Sequence, residues 1–166
     1  MKKLFKRKIK KEISHNSDEV LNNKIEILKN KNTKNHLVVD DIESNRDTLK
    51  YYLESKGLNV DLASNGAEAV EMFSEKDLNY YDIIWMDIKM PFMDGIDSTK
   101  ILRKRNFSNL IIMITGHINN ETLLKCKMKG ADKIYSKPII KDELYNLNIF
   151  SIYYDFKNYK NTDILI

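Results

Sequence analysis

Cysteine, long apolar runs and early acidic residues are all scarce in this chain of 166 residues. The single cysteine, Cys126, excludes an internal disulfide framework and favours a reducing compartment, so we expect a cytoplasmic location. Apolar runs are only a few residues long, so no segment is expected to span a membrane. No apolar stretch follows the basic residues 2–11, which argues against a secretory signal peptide. The sequence has no ATP-binding motif, so we do not expect an active kinase.

Acidic residues are outnumbered in the first 34 residues, where 11 Lys/Arg stand against 4 Asp/Glu, a net charge of +7. Residues 35–150 carry 15 basic against 18 acidic residues, a net charge of −3. We interpret residues 1–34 as a basic, Lys/Asn-rich tail with a candidate short helix starting near Ser17. A solvated tail is favoured over a surface for nucleic acid or an anionic membrane, because no recognition helix or zinc motif accompanies it. Residues 151–166 form a C-terminal extension that is too short for a DNA-binding effector domain.

Strand-like and helix-like segments alternate from residue 36 onward. Strands are predicted at 36–40, 58–62, 82–87, 110–114 and 133–136, and helices at 44–56, 66–76, 96–105 and 119–129, with a last helix from about 140. Segment 58–62 alternates between apolar and polar residues, as an edge strand does, whereas 83–86 and 110–114 are apolar throughout, as strands covered on both faces are. Repeated strand-helix-strand units predict an α/β domain over residues 35–150 with a doubly wound parallel sheet.

Polar residues follow several of the predicted strands at the point where each strand ends. The acidic pair Asp40-Asp41 ends the first strand, Asp87 the third, Thr115 the fourth, and Lys137 comes after the fifth. The carboxyl ends of parallel strands share one edge of an open sheet, so these side chains should converge there. Each residue alone is an ordinary turn or helix-capping residue, so the prediction rests on their combined order and spacing.

Three carboxylates at one edge indicate a metal site, because they repel one another unless a cation lies among them. Mg²⁺ suits the site, since it uses one or two protein carboxylates and keeps other positions for water and substrate oxygens. We expect Asp41 and Asp87 to be direct ligands, with the backbone carbonyl of Lys89 as a third. Asp40 is expected to act through a bound water.

A carboxylate can also attack phosphorus and form an acyl phosphate. Asp87 is the candidate nucleophile, because it stands alone at the end of a buried strand, whereas the paired Asp40 and Asp41 suit metal binding better. Phosphoryl transfer depends mainly on positioning and charge neutralisation. The Lys137 ammonium and the Thr115 hydroxyl are therefore expected to contact the phosphoryl oxygens.

These residues resemble the receiver domain of two-component response regulators, and the likeness covers about residues 36–150. It is carried by residues 37–46, 84–95, 114–117 and 136–139. In detail these segments look most similar to receivers attached to hybrid sensor kinases. The resemblance implies a flavodoxin-like five-stranded parallel sheet of order 2-1-3-4-5, a Mg²⁺ requirement, and transfer from a phosphohistidine to Asp87. It implies a histidine kinase or a histidine phosphotransfer protein as partner, and a cis Lys137-Pro138 bond.

One position departs from the family pattern. The family's switch aromatic lies three residues before the lysine, where this chain has Ile134, and Tyr135 is expected on the opposite face of the strand. We therefore expect phosphorylation to reorganise the helix 119–129, the strand 133–136 and the face of the final helix only weakly. Lys89 and His117, two residues beyond Asp87 and Thr115, are expected to flank the path of water and to tune the lifetime of the acyl phosphate.

Two other classes of function compete with a phosphoacceptor domain. Phosphatases with an Asp nucleophile place it in an Asp-x-Asp motif after the first strand, but here Asp40 and Asp41 are adjacent. A pure binding module would act through the basic tail, residues 1–34, and leave the acidic site inert. The full set of acidic, Thr and Lys residues favours a receiver that signals by protein contact and does not turn over a small-molecule substrate.

Overall fold

The computed structural model describes residues 34–116 and 119–137. The strands are β1 (Asn35–Val39), β2 (Asn59–Ala63), β3 (Tyr81–Asp87), β4 (Leu110–Thr115) and β5 (Lys133–Ser136). The helices are α1 (Glu43–Glu54), α2 (Gly66–Ser74), α3 (Gly95–Lys104) and α4 (Asn120–Lys129). Each described element lies within two residues of its predicted bounds. The candidate helices near Ser17 and from residue 140 lie outside the described residues, as do His117 and Pro138.

All five strands pair in parallel in the order β2-β1-β3-β4-β5, which confirms the predicted topology. The alternating strand β2 lies at one edge, and its residues are only partly covered, except for the buried Ala63. β3 and β4 lie inside the sheet and are buried along their whole length. Interior strands of a parallel sheet carry helices on both faces, which is why their sequences are apolar throughout.

Two apolar layers cover the two faces of the sheet. The layer beneath α1 contains Val38, Leu49, Tyr52, Leu53, Leu58, Ile83, Trp85, Leu110, Ile112 and Ile114. The layer beneath α2, α3 and α4 contains Leu37, Val39, Ala63, Ala69, Val70, Phe73, Tyr81, Ile84, Met86, Ile88, Leu102, Phe107, Ile111, Met113 and Cys126. Tyr135 packs against the first layer and Ile134 against the second, so the predicted opposite orientation of these two side chains is confirmed.

Polar side chains cap three of the helices where they leave the carboxyl edge of the sheet. Asn65 accepts hydrogen bonds from the backbone N–H groups of Ala67 and Glu68 at the start of α2. Asp94 and Asn119 cap α3 and α4 in the same way. Such caps satisfy backbone donors that a helix start leaves open, so they fix where each helix begins. The loops that carry the polar residues are thereby short and anchored at both ends.

Arg103 joins three segments at the amino edge of the sheet. Its guanidinium donates to the carbonyl oxygens of Phe107, Asn109 and Gly130 and to the Asp132 carboxylate, at 2.5 to 2.9 Å. The same carboxylate accepts the backbone N–H of Ile111 at 2.8 Å. The end of α3, the start of β4 and the turn between α4 and β5 are therefore held together by one side chain.

The described helices are too short and too polar for any of them to cross a membrane.

Candidate phosphorylation site

The carboxyl edge of the sheet brings the predicted acidic residues together. Asp40 follows β1, and Asp87 is the last residue of β3, which pairs with β1. One carboxylate oxygen from each of Asp40, Asp41 and Asp87 lies within 4.8 Å of the others. Asp40 and Asp87 are buried, whereas Asp41 is exposed. The acidic group is therefore buried on the side of Asp40 and Asp87 and open to solvent on the side of Asp41.

Lys137 bridges the two buried carboxylates. Its Nζ atom lies 2.7 Å from Asp40 Oδ2 and 3.1 Å from Asp87 Oδ1. Its backbone N–H donates to the carbonyl oxygen of Thr115 at 2.7 Å, which fixes the residue at the end of β5 against the end of β4. The convergence of Lys137 with the acidic residues, expected from the sequence, is therefore present.

Asp40 is surrounded by donors from the first turn of α1. Its Oδ1 atom accepts the backbone N–H of Ile42 and the Asn45 side-chain amide, each at 3.0 Å. Its Oδ2 atom accepts Asn45 and Lys137, and the Arg46 guanidinium donates to the Asp40 carbonyl oxygen at 2.7 Å. A carboxylate with this many donors is oriented by the protein.

Asn45 and Arg46 are thus supporting residues to which the sequence reasoning gave no role. They lie five and six positions after Asp40, and the helix begins at Glu43. Polar residues in the first turn of a helix, directly after an acidic pair, could have indicated such a contact.

The loop after β3 holds Asp87 in place through close backbone contacts. Asp87 Oδ1 accepts the backbone N–H of Ile88 at 2.9 Å, and the carbonyl oxygen of Ile88 accepts the N–H of Gly95 at 2.9 Å. A Cβ atom on Gly95 would lie 2.0 Å from the Asp87 carbonyl oxygen. Only glycine fits there, so the start of α3 can approach the end of β3 and close the loop.

The electrostatic environment of Asp87 disfavours its charge. Burial raises the pKa of this carboxyl, the neighbouring Lys137 partly opposes the rise, and the charge of Asp40 adds to it. Burial lowers the pKa of the Lys137 ammonium, but its contacts with Asp40 and Asp87 outweigh that effect and raise the pKa overall. Lys137 is therefore a fixed positive charge, while Asp87 is a carboxylate that lacks full compensation.

An open cleft of about 530 Å³ leads to this group. It runs between the loop after β3, which includes Lys89, and the start of α4. Asp41 and the buried Thr115 line it as well. The cleft therefore opens beside the acidic group, on the side of Asp41 and Thr115.

The donor set fits a hard divalent cation. Three carboxylates lie close together with one ammonium group that contacts two of them, and oxygen atoms are the ligands that Mg²⁺ prefers. Asp40 Oδ1 and Oδ2 already accept protein donors, which agrees with an indirect role through water. Direct coordination by Asp41 and Asp87 stays a prediction.

Comparison with known proteins gives a consistent result. The family model described as the response regulator receiver domain matches residues 37–148. The chain is 40% identical over 105 residues to the chemotaxis protein CheY of Halobacterium salinarum, covering 63% of this chain and 85% of that protein. It is 37% identical over 113 residues to hybrid signal transduction histidine kinase L of Dictyostelium discoideum, covering 65% of this chain but only 7% of that kinase.

A solved structure agrees with these relatives. The CheX-CheY-BeF3-Mg+2 complex from Borrelia burgdorferi contains a chain that matches with a TM-score of 0.65 and 29% sequence identity. The match covers 72% of this chain and 89% of that one. Together with the sheet order and the acidic edge, these matches show that the chain belongs to the response regulator receiver domain family of two-component signalling.

Proposed function

We propose that Asp87 accepts a phosphoryl group from a phosphohistidine, with Asp40, Asp41, Asp87 and the Lys89 carbonyl forming the Mg²⁺ site. The observation that carries the proposal is the position of Lys137, which contacts both Asp40 and Asp87 beside an open cleft. A cation fixed at that point can contact an oxygen of a phosphoryl group attached to Asp87.

In the proposed step, an oxygen of the Asp87 carboxylate attacks phosphorus while the bond from phosphorus to the donor's imidazole nitrogen breaks. The electron pair leaves with the imidazole, and the product is an acyl phosphate on Asp87. The Lys137 ammonium and the Thr115 hydroxyl bond the phosphoryl oxygens. Bound Mg²⁺ would neutralise charge on the phosphoryl oxygens and on the carboxylates.

Water that enters by the same cleft ends the signal. It attacks phosphorus, the bond to the Asp87 oxygen breaks, and inorganic phosphate is released. Lys89 lines this cleft, and we propose that it tunes the hydrolysis rate together with His117, which lies outside the described residues. The chain would act in this way as a phosphoacceptor and not as an enzyme that turns over a separate substrate.

The partner is proposed to be a histidine kinase or a histidine phosphotransfer protein. Support for the partner comes from the match to a hybrid histidine kinase, and support for the Mg²⁺ site comes from the magnesium named for the Borrelia complex. Residues 35–150 are proposed as the receiver domain, between a basic tail at 1–34 and an extension at 151–166. The cytoplasmic location expected from the single cysteine, Cys126, remains part of the proposal.

The test is phosphorylation with acetyl phosphate and Mg²⁺, followed by intact-mass spectrometry. Wild type is expected to gain one phosphoryl group, and Asp87→Asn is expected to gain none. Asp82→Asn is a matched control, because Asp82 is equally buried but lies at the other end of β3 and accepts the backbone N–H of Asn35. Labelling of Asp87→Asn at the wild-type level, or no labelling of wild type, would refute the proposal.

A further inference from the structure

Phe92 lies in the loop after β3, next to Pro91, which lines the cleft. Its side chain is 95% exposed, and its backbone has a φ of 65°. The left-handed region disfavours an aromatic residue, whereas Asn106, with a φ of 66°, belongs to a type that tolerates it. A strained backbone position with a bulky apolar side chain in water costs stability, and such positions concentrate at functional sites.

The surface around Phe92 is apolar, with acidic residues at one end and basic residues at the other. Phe92, Met90, Met93 and Ile101 line a groove of about 540 Å³ along α3. Lys100, Lys104, Asp94 and Asp97 complete its lining. Asp94 already accepts the backbone N–H of Asp97 as the cap of α3, so its charge is partly engaged. Asp97 lies in the first turn of α3, whereas Lys100 and Lys104 lie farther along the helix, so acidic side chains of a partner are favoured at the lysine end of the groove.

This groove is continuous with the cleft of the phosphorylation site. Met90 and Asp94 line both, and Phe92 lies between them in the chain. The Asp87 side chain is only 7% exposed, so a donor imidazole must enter the cleft to reach it. The protein that carries the imidazole then covers the cleft mouth, including the loop at 89–94.

We propose that Phe92 and its groove form a docking surface for the phosphohistidine-bearing donor protein, whose facing surface would be apolar with acidic residues near Lys100 and Lys104. This inference rests on the proposed function, because it identifies the partner of that same site. Aromatic side chains often dominate binding energy when a partner buries them. Binding of the partner would then explain why a strained conformation that does not stabilise the fold is present at Phe92.

The experiment compares two phosphoryl donors on the full chain. One donor is acetyl phosphate, which is too small to reach Phe92 while it reacts at Asp87. The other is whichever purified, autophosphorylated histidine kinase labels the wild type fastest. Phe92→Asn and Phe92→Gly suit the left-handed backbone but remove the aromatic ring, and Phe92→Tyr keeps the ring. Leu78→Asn is the control for loss of another exposed apolar side chain, 54% exposed before β3.

Transfer from the kinase is expected to fall about tenfold or more in Phe92→Asn and Phe92→Gly, as for an interface hot spot. Phe92→Tyr and Leu78→Asn should stay within about twofold of wild type, and labelling by acetyl phosphate should be unchanged in all variants. The thermal midpoint should rise by about 2–4 °C in Phe92→Gly, because the strain is relieved. Stability and transfer would then change in opposite directions.

Several results would overturn the inference. One is unchanged kinase transfer in Phe92→Asn and Phe92→Gly, and another is an equal loss with both donors, which would assign Phe92 to loop geometry. A wild type that every kinase labels no faster than acetyl phosphate does would also overturn it, while leaving phosphoryl acceptance at Asp87 intact. A dimer that Phe92→Asn abolishes without changing transfer would assign the surface to self-association. Failure of the proposed function itself would appear separately, as a wild type that neither donor labels.

Discussion

The two edges of the sheet use the same kinds of charged group in opposite ways. At the amino edge, the Arg103 guanidinium has one carboxylate partner, Asp132, and three backbone carbonyls. At the carboxyl edge, three carboxylates lie close together, and one ammonium, that of Lys137, contacts two of them. The first group is complete within the protein, whereas the second leaves negative charge for an external cation.

This difference distinguishes charged groups that stabilise the fold from charged groups that are arranged to bind a cation. A buried ion pair whose members are also hydrogen-bonded holds segments in register, and removing one member leaves the other unpaired. Burial, with the added charge of Asp40, raises the pKa of the Asp87 carboxyl, so its ionisation costs stability until a cation binds. The contribution of the amino edge to the free energy of unfolding should therefore depend on Arg103 and its protein partners. The contribution of the carboxyl edge should depend on added Mg²⁺.

The largest effect is expected at the amino edge, for Arg103→Ala. The variant leaves Asp132 and three carbonyl oxygens without their charged donor, so the free energy of unfolding should fall by about 3 kcal/mol. Urea denaturation measures it, with Arg105→Ala as the control, since Arg105 is exposed and contacts only the Ser74 hydroxyl among the described residues. If Arg103→Ala lowers the free energy of unfolding by less than about 1 kcal/mol, Arg103 does not hold the three segments together as proposed.

The next effect concerns His36, at the same edge on β1. Its imidazole is buried, its Nδ1 accepts the Trp85 indole N–H at 3.1 Å, and its Nε2 has no hydrogen-bond partner. Burial, aided by the charge of Lys34, lowers its pKa from 6.5 to about 3. The unfolded chain therefore takes up a proton below pH 6.5 that the folded chain refuses until about pH 3, so stability falls with acid across that window.

The expected loss from His36 is about 2 kcal/mol between pH 8 and pH 5. His36→Asn keeps an acceptor for the Trp85 indole N–H but does not titrate, so this part of the pH dependence should vanish. Urea denaturation at both pH values measures it. Equal pH dependence in the variant and in wild type would show that His36 takes up its proton in the folded state.

A smaller effect is expected at the carboxyl edge on adding Mg²⁺. At ten times its dissociation constant the ion should stabilise wild type by about 1.4 kcal/mol. In Asp87→Asn the gain should be small, and without Mg²⁺ this variant should exceed wild type in stability near neutral pH. The reason is that burial raises the Asp87 pKa, so ionising this carboxyl disfavours folding as the pH rises. Thermal unfolding with and without Mg²⁺ checks both, and equal Mg²⁺ stabilisation of the two proteins would place the ion elsewhere.

The smallest effect is the change in amide chemical shift that phosphorylation is expected to cause in α4 and β5, which connect the two edges. Beryllofluoride imitates a phosphoryl group, and with Mg²⁺ it should shift the amide resonance of Thr115 strongly. Residues 129–136 should shift little, because Arg103 holds Gly130 and Asp132 and because Ile134 stands where the family has an aromatic. Comparable shifts at Thr115 and at 129–136 would contradict this expectation. Ile134→Tyr should enlarge the second set if the missing aromatic is the cause.

The hydrophobic periodicity of the segments and the spacing of the polar residues predicted most of the fold and of the candidate site. The alternation at 58–62 predicted the edge strand β2, and the continuous apolar run before Asp87 predicted the interior strand β3. The candidate site residues could be predicted because a parallel sheet must bring the carboxyl ends of its strands to one edge. They are Asp40, Asp41, Asp87, Thr115 and Lys137. Asn45, Arg46 and Arg103 were missed as contact-making residues, because a charged or amide side chain on a helix normally faces water.

The sequence by itself determined the order of strands and helices, the acidic edge and the identity of the nucleophile candidate, since these follow from local pattern and from the rules of parallel sheets. Tertiary structure alone decided that Lys137 bridges Asp40 and Asp87, that Asp40 is enclosed by donors, and that Phe92 is exposed on a strained backbone. Those facts depend on distances between residues up to 97 positions apart. Side-chain reach and burial, which no local pattern encodes, set such distances.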